Sequence, residues 1–374
     1  MKIGLITLMG WNNIGNRLQN YAVQNILEKK NCDVTTIYYS VPYYKKFSAM
    51  YFVEFFRNLC IKTKLILSLP YAKYIKKDNK MYLSLEFNKK YVKISTKYLL
   101  KSMKMKKYAS DFDKWCVGSD QIWNFIVVRN FDFFFLKFAE KRNTFSFAAS
   151  FGAINIPDEN MENFRKGLSH IGNISVREDE GAKLVSDIVQ RDAEVLLDPT
   201  LLMDSNDWLK VARKPDCITD EKFIVLYFLG GMSEEQKKFI YKYAQNNDYK
   251  IIDMYGANYD SVGPSEFIWA VANSEFVFTD SFHASAFSVN FKKKFIVFKR
   301  NNIYDMSSRI VTLVNKFKIN ECFYQGDADK ISGTLHDFVD KINNLDFSHI
   351  DSILDEEKRK ADLFLNKVLT DDGD

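Results

Sequence analysis

MKIGLITLMGWNNIGNRLQNYAVQN, residues 1–25, reads as a strand, a turn and a helix in that order. Residues 2–8 form an apolar run typical of a buried strand, and the glycine-containing segment MGWNNIGN ends it. Beyond the turn, residues of one helical face recur at the 3.6-residue period: Leu18, Tyr21, Ala22, Asn25 and Ile26. A strand followed directly by such a helix predicts the opening of a parallel βαβ unit.

The same alternation continues along the chain. Further strand-like runs occur at 34–39, 115–118, 144–151, 174–177 and 194–197, and then at 223–229, 250–254, 276–279 and 295–298. Helical patterns fall between them, which favours parallel α/β structure. The polar stretch KVARKPDCITDEK, residues 210–222, separates the two series, so we predict domains at 1–210 and 211–374. A charged final helix, residues 350–369, could pack back on the first domain.

Length and composition agree with two compact domains. The chain has 374 residues, 47% hydrophobic and 27% charged, with six prolines and fifteen glycines. A single core stops growing near roughly 250 residues, so two domains with a cleft between them are expected. The N-terminal apolar run carries one basic residue, Lys2, and reads as a strand rather than a signal peptide. No apolar stretch reaches the roughly 20 residues that span a bilayer, so we expect a cytoplasmic protein.

Cysteine and histidine spacing gives no sign of a metal site. The five cysteines are an odd number and contain no C-x-x-C pair: Cys32, Cys60, Cys116, Cys217 and Cys322. The four histidines lack H-x-x-x-H spacing: His170, His283, His336 and His349. We therefore expect neither disulfides nor a bound metal.

Positive charge is concentrated in residues 43–107. This segment has seventeen basic and three acidic residues, an excess of fourteen positive charges, although the whole chain carries only +5. It is also rich in aromatic and aliphatic residues and reads as basic amphipathic helix, which suits contact with an anionic inner membrane surface. No nucleic-acid motif accompanies it. Ordinary domain helices in a lysine-rich protein are an equally good interpretation.

The turn after the first strand is the first candidate site. Gly10 and Gly15 bracket four residues as in a phosphate-binding P-loop, but Asn16 and Arg17 replace the lysine and serine or threonine of that motif. The G-x-G-x-x-G pattern of dinucleotide binding is also missing. The turn presents polar side chains that suit sugar hydroxyls or an anion: Asn12, Asn13, Asn16 and Arg17. Simple turn and cap roles explain them equally well.

A second candidate site follows the strand in WCVGSDQIWN, residues 115–124. Ser119, Asp120 and Gln121 offer a hydroxyl, a carboxylate and an amide at the edge of the sheet, and Trp123 follows. An aromatic face beside such groups can hold a sugar ring. The alternative is an Asx turn that caps a helix.

The third candidate is Arg177 in ISVREDEGAKL, at a strand end before a helix. Its guanidinium could bind a carboxylate or phosphate. A salt bridge to Glu178 or Asp179 is the competing interpretation.

The fourth candidate is EFVFTDSFHASAF, residues 275–287. Asp280 or Ser281 can cap a helix whose first turn carries His283, where free backbone N–H groups favour anions. A lone histidine is usually structural, but this position favours a functional one. Cationic side chains follow the next strand and could add positive charge: Lys299, Arg300 and Arg309.

Six segments in this order resemble the polysaccharide pyruvyl transferase family: NNIGNRLQNYAVQ, VGSDQIWN, SFAASFG, SVREDEGAKL, LDPTLL and FTDSFHASAF. The match runs from Lys2 to about Lys318. The resemblance implies two Rossmann-like domains in a GT-B-like arrangement with an interdomain cleft. It also implies transfer of the enolpyruvyl group of phosphoenolpyruvate to a sugar of a bacterial surface polysaccharide or its lipid-linked precursor, forming a pyruvate ketal without a cofactor.

The resemblance also assigns roles to residues. It makes His283 and Arg177 donor-site residues from opposite domains, and we add Asp120 as a second candidate acid or base. Some family members carry an arginine where this chain has Ser281, so the donor phosphate would need other groups. The predicted donor-binding set is Arg177, Ser281, Phe282, Lys299, Arg300 and Arg309. The predicted acceptor-binding set is Asn12, Asn13, Asn16, Arg17, Ser119, Gln121 and Trp123.

Two other functions remain open from the sequence. A GT-B-type glycosyltransferase that uses a sugar nucleotide would share the architecture and an anion site in the second domain. A non-catalytic glycan-assembly protein would explain Ser281, but it would not explain His283, Arg177 and Asp120.

Overall fold

The computed structural model describes residues 1–9, 13–38, 79–95, 97, 102–126, 131–216, 218–219, 221–255, 262–300, 307–326 and 334–370. The chain divides into two compact units. The first unit comprises Met1–Leu196 together with Phe364–Asp374, and the second comprises Leu197–Leu363. No helix in the described ranges is long and apolar enough to cross a membrane.

The first unit is built on a five-stranded parallel sheet in the order β3-β2-β1-β4-β5. Its strands are β1 (Lys2–Ile6), β2 (Asp33–Ile37), β3 (Ile94–Ser95), β4 (Lys114–Val117) and β5 (Thr144–Ser146). A parallel pair, β6 (Ser175–Val176) and β7 (Glu194–Val195), follows β5. Its helices are α1 (Ile14–Glu28), α2 (Asn79–Tyr91), α3 (Phe131–Phe134), α4 (Asp158–His170) and α5 (Asp179–Val189).

The second unit has its own five-stranded parallel sheet in the order β12-β11-β10-β8-β9. Its strands are β8 (Phe223–Tyr227), β9 (Lys250–Asp253), β10 (Phe276–Thr279), β11 (Phe295–Phe298) and β12 (Phe323–Tyr324). Its helices are α6 (Pro199–Leu202), α7 (Ser205–Leu209), α8 (Glu234–Asn246), α9 (Pro264–Asn273), α10 (Phe282–Asn290), α11 (Ser308–Lys316) and α12 (Thr334–Asn343). The long final helix α13 (Ile350–Thr370) begins in this unit and ends in the first.

The aromatic core of the first unit explains why its strands and helices pack together. Trp123 stacks on Phe135 with ring centres 5.3 Å apart, and Phe151 stacks on Phe164 at 5.8 Å. All four side chains are fully buried. Aromatic side chains bury more area than other residues, so this cluster stabilises the packing of the helices on the sheet.

The division between the units falls earlier in the chain than the predicted boundary at residue 210. Trp208 packs edge-on against Phe287 of α10, and its indole N–H donates to the Thr200 carbonyl at 3.0 Å. The Asn290 amide donates to the carbonyls of Thr200 and Met203 at 3.2 and 2.8 Å. Because Phe287 and Asn290 of α10 contact this segment, residues 197–209 belong to the second unit.

The final helix belongs to both units along its length. Lys358 pairs with Asp204 near the start of the second unit, whereas residues from Phe364 onward group with the first unit. There, Lys30 at the end of α1 donates to the Asn366 side chain at 2.8 Å.

The basic segment 43–107 lies partly outside the described residues, because residues 43–78, 96 and 98–101 are not described. Its described part contains α2 and the short strand β3, followed by a 3-10 helix, Ser102–Asp111. Strand β3 was not among the strands predicted from the sequence.

Candidate functional site

Strands β1 and β4 bring two of the predicted segments to one edge of the first sheet. They are parallel neighbours, with Leu5 opposite Cys116 and Ile6 opposite Val117. The turn before α1 and the segment that follows β4 therefore leave the sheet at the same end. Asn13 caps α1 by accepting from the Asn16 backbone N–H at 3.2 Å, while Asn12 lies outside the described residues.

Asp120 is the centre of the polar cluster at this edge. The Asn16 side-chain amide donates to one carboxylate oxygen, and Arg177 Nη2 donates to the other at 3.3 Å. The side chains of Asp120 and Arg177 are 5% and 2% exposed. Three segments that were predicted separately thus meet at one carboxylate. Arg177 pairs with Asp120 and also with Glu178, at 3.9 Å between its Nε and Glu178 Oε2, so the competing interpretation of a salt bridge to Glu178 is also correct.

Glu178 is a member of this cluster that the sequence analysis missed as a site residue. Its Oε1 accepts from the Ser150 hydroxyl and the Phe151 N–H, both at 2.9 Å, and from the Gly152 N–H at 3.3 Å. The segments AASFG and VRED that carry these residues both appeared among the family-like motifs. The resemblance therefore marked both segments as important, but nothing in the sequence showed that they contact each other.

Ser119 and Gln121 are held close to Asp120 by neighbouring backbone and amide groups. The Ser119 hydroxyl donates to the Ala148 carbonyl at 2.8 Å, and its backbone N–H donates to Gln19 Oε1 at 3.1 Å. Gln121 Oε1 accepts from the Asn124 amide at 2.5 Å. Gln19 was also missed, because its position on α1 gives no indication of a partner in the segment after β4.

Arg17 and Trp123 take places in the interior that differ from the predicted ones. Arg17 is fully buried and donates to the Leu8 carbonyl at 2.8 Å. Trp123 is also fully buried, and its indole N–H donates to the Phe134 carbonyl at 3.2 Å. The ring face that was predicted to stack on a sugar is therefore covered by Phe135 of the core.

In the second unit, Asp280 joins three segments at the carboxyl end of the sheet. Its two carboxylate oxygens accept from the backbone N–H groups of Leu229 and Gly230, each at 2.7 Å. Arg300, just after β11, donates to the same carboxylate from Nε at 3.0 Å and from Nη2 at 3.1 Å. Asp280 thus binds the loop after β8 instead of capping its own helix, and Arg300 is held by Asp280.

His283 lies in the first turn of α10 and is 8% exposed. The ring of Phe282 lies edge-on to the His283 imidazole at 5.5 Å, and the Arg309 guanidinium carbon lies 5.8 Å from the centre of the same ring. Ser281 precedes the helix, and its N–H donates to Thr279 Oγ1 at 2.9 Å. An imidazole and a guanidinium therefore flank one aromatic ring at the start of a nine-residue helix, where backbone N–H groups favour anions.

The remaining predicted cation, Lys299, is exposed at the end of β11. Burial raises the pKa of Tyr227, and the negative charge of Asp280 adds to this effect.

No group of three or more His, Cys, Asp and Glu side chains suited to a metal ion occurs among the described residues.

Two solved structures show what the fold is similar to. UDP-GlcNAc 2-epimerase from Neisseria meningitidis, solved bound to UDP-GlcNAc, is 11% identical with a TM-score of 0.51, over 96% of this chain and 100% of that chain. The Methanocaldococcus jannaschii UDP-GlcNAc 2-epimerase, solved with UDP-GlcNAc and UDP, is 14% identical with a TM-score of 0.53, over 93% and 94%. At these identities the similarity shows the fold alone, and it confirms the predicted GT-B-like fold class with Rossmann-like α/β units.

Comparison by sequence identifies the family. No curated protein matches the chain. The family model described as polysaccharide pyruvyl transferase matches residues 13–302, which include every described residue of both polar clusters except Arg309. This match covers well over half of the chain and agrees with the six segments that carried the resemblance. The chain therefore belongs to the polysaccharide pyruvyl transferase family.

Proposed function

We propose that this chain transfers the enolpyruvyl group of phosphoenolpyruvate to a sugar of a bacterial surface polysaccharide, or of its lipid-linked precursor, and forms a pyruvate ketal. The observation that carries the proposal is the grouping of His283, Phe282 and Arg309 at the start of α10. Phosphoenolpyruvate has a phosphate and a carboxylate, and its reaction needs a proton donor. A guanidinium, helix N–H groups and an imidazole supply these properties without a cofactor.

The proposed reaction balances without any further reagent. A proton added to the methylene carbon of phosphoenolpyruvate makes it a methyl group and leaves C2 electron-poor. One sugar hydroxyl attacks C2 and loses its proton, and phosphate leaves as the C–O bond to it breaks. A second hydroxyl attacks the same carbon and closes the ketal. The two hydroxyl protons end on the new methyl group and on the released hydrogen phosphate.

We assign the proton donor to His283 and the base to Asp120. Histidine changes protonation near neutral pH, which suits a group that must give a proton and recover it. Asp120 is our candidate to accept the hydroxyl proton because it is the carboxylate at the centre of the first polar cluster, held in place by Asn16 and Arg177. We propose that the Arg177 guanidinium, with five N–H donors, serves both Asp120 and a donor oxyanion.

Arg309 is our candidate for the phosphate ligand that Ser281 does not provide. It is 7% exposed and lies beside the Phe282 ring. Arg300 is less suited to this role because two of its nitrogens bind Asp280. Lys299 can add long-range positive charge from the surface.

Ligand-dependent thermal stabilisation tests the donor. A ligand at a hundred times its Kd stabilises the folded state by about 2.7 kcal/mol, which a melting curve resolves easily. We expect phosphoenolpyruvate to raise Tm, and UDP-GlcNAc and GDP sugars to leave it unchanged. Arg309→Ala should reduce the phosphoenolpyruvate shift, while the exposed control Arg359→Ala should keep it.

Thermal stabilisation, together with an assay of phosphate release, separates the two rival functions. Stabilisation by a sugar nucleotide instead of phosphoenolpyruvate would favour a glycosyltransferase. Stabilisation by phosphoenolpyruvate without phosphate release in the presence of saccharide acceptors would favour a non-catalytic assembly protein. Equal shifts with phosphoenolpyruvate and inorganic phosphate would show an unspecific anion site and would contradict the proposal.

We further propose that the basic segment 43–107 holds the enzyme at the inner membrane surface, near a lipid-linked acceptor. In its described part, Lys89 and Lys90 are exposed in the last turn of α2. Each basic residue near an anionic surface contributes about 1 kcal/mol. Flotation with anionic liposomes at low salt should recover the wild type and less of Lys89→Gln/Lys90→Gln. Equal recovery of that variant and of the control Lys237→Gln/Lys238→Gln would contradict this role for the α2 lysines.

A further inference from the structure

Glu178 occupies an unusual place for a glutamate. It precedes α5 as the N-cap residue and is fully buried, yet its side chain makes no capping hydrogen bond to its own helix. Short polar side chains are preferred at this position, and a buried carboxylate is unfavourable unless it is well bonded. The reason for a glutamate at this position must therefore lie in the contacts that its two carboxylate oxygens make.

The first oxygen, Oε1, fixes the turn 150–152. It accepts from the Ser150 hydroxyl, from the Phe151 N–H and, at 3.3 Å, from the Gly152 N–H. The backbone N–H of Ser150 in turn donates to the Asp120 carbonyl at 2.9 Å. Glu178 thereby sets the position of the segment that holds the Asp120 backbone.

The second oxygen, Oε2, lies beside the guanidinium that binds the Asp120 carboxylate. It is 3.9 Å from Arg177 Nε, and Arg177 Nη2 is 3.3 Å from Asp120 Oδ1. Because a guanidinium is planar and rigid, an interaction at its Nε edge determines where Nη2 points. Glu178 thus reaches Asp120 along a second route, through a side chain.

We propose that Glu178 is a positioning residue for Asp120, acting through the turn 150–152 and through Arg177. This inference rests on the proposed function, in which Asp120 accepts a proton from the acceptor sugar. Glu178 touches neither substrate in this role. Its negative charge is needed to orient Arg177, whereas its role in the turn needs only an acceptor oxygen.

The variant Glu178→Gln separates the two parts of this role. It keeps the size of the side chain and an oxygen for the three turn donors, but it removes the charge beside Arg177. A side chain that only held the turn would be replaced by glutamine without loss of activity. The matched control is Asp179→Asn, which removes the same charge from the exposed next residue of the same turn.

Steady-state phosphate release from phosphoenolpyruvate with a saccharide acceptor is the first readout. We expect Glu178→Gln to lower kcat by up to about 10²-fold, since small misplacements of a catalytic group have effects of this size. KM for phosphoenolpyruvate and Tm should stay close to the wild-type values, and Asp179→Asn should behave as wild type. Wild-type kcat in Glu178→Gln would overturn the inference.

Crystal structures of the wild type and of Glu178→Gln provide a readout that needs no activity. We expect Arg177 Nη2 to leave hydrogen-bond distance of Asp120 in the variant, with the three turn contacts kept. If the wild type releases no phosphate from phosphoenolpyruvate, the proposed function fails, and this structural comparison alone decides the inference. An unchanged contact between Arg177 and Asp120 in the variant would overturn it.

Discussion

Removing the Asp280 carboxylate should destabilise the second unit measurably. Asp280 is 5% exposed and joins the loop after β8 to the end of β11. Asp280→Ala removes the acceptor for the N–H groups of Leu229 and Gly230 and the partner of Arg300. Arg300 keeps its hydrogen bond from Nη2 to the backbone carbonyl of residue 280, at 2.9 Å, but loses both contacts to the carboxylate.

The size of the effect follows from these contacts. A donor that loses a buried acceptor costs about 1–3 kcal/mol, and the low end applies to the two backbone groups because their bonds are only part-buried. The Arg300 side chain is 25% exposed, so solvent recovers much of its interaction and roughly 1 kcal/mol is added. The free energy of unfolding should fall by about 3 kcal/mol. For a unit of this size that corresponds to a Tm about 6–12 °C lower.

Differential scanning calorimetry of Asp280→Ala, Arg300→Met and the double variant tests the reasoning. The double variant should be less destabilised than the sum of the single variants, because the two side chains share one interaction. Glu356→Ala, which removes an exposed carboxylate in the same unit, is the control. A loss of under about 2 °C in Asp280→Ala, or strict additivity with Arg300→Met, would refute the interpretation.

Other consequences concern two glycines and a buried thiol. Gly152→Ala should lower Tm more than Gly231→Ala: both have positive φ, at 62° and 81°, but an added Cβ would lie 2.6 Å from Gln121 Oε1 at Gly152 and would meet nothing within 4 Å at Gly231. Equal losses in calorimetry would contradict this. Burial raises the pKa of the Cys116 thiol, which should therefore stay protonated at neutral pH and react slowly with iodoacetamide in the folded protein. Peptide mass spectrometry after native and denatured labelling checks it, and rapid native labelling of Cys116 would be the contrary result.

The long strands of both sheets could be predicted from the sequence. Each of the ten predicted runs overlaps a strand of the structure, because continuous apolar segments flanked by turns are a strong signal for buried parallel strands. The prediction of 144–151 as one strand was too long, since the strand ends at Ser146 and Ala148 takes a positive φ of 48°. Strands β3 and β12 were not predicted.

The partners of the site residues could not be predicted in the same way. Asn16 and Asp120 are 104 positions apart and Asp120 and Arg177 are 57 apart, so no local pattern links them. The sequence placed each residue in a segment that follows a strand, but the choice of partner depends on the order of strands in the sheet. Asp280 is similar, because local propensity indicated a helix cap while its carboxylate binds N–H groups 50 and 51 positions away.

The role of Trp123 could not be predicted from the residues beside it in the sequence. A tryptophan among amide and carboxylate side chains is typical of sugar sites and equally typical of a core residue next to a polar turn. Only the position of Phe135 against its ring decides between them. Burial of one side chain by another distant in the sequence is a tertiary property.

Turnover of His283→Ala is the most direct test of the proposed pyruvyl transfer. Phosphate release from saturating phosphoenolpyruvate with a disaccharide-lipid acceptor should fall by about 10²- to 10⁴-fold, the usual effect of losing a positioned general acid. His336→Ala, which removes an exposed histidine beside Phe239 in the same unit, should retain wild-type turnover. Near wild-type turnover in His283→Ala would contradict the assignment of His283 to the chemistry.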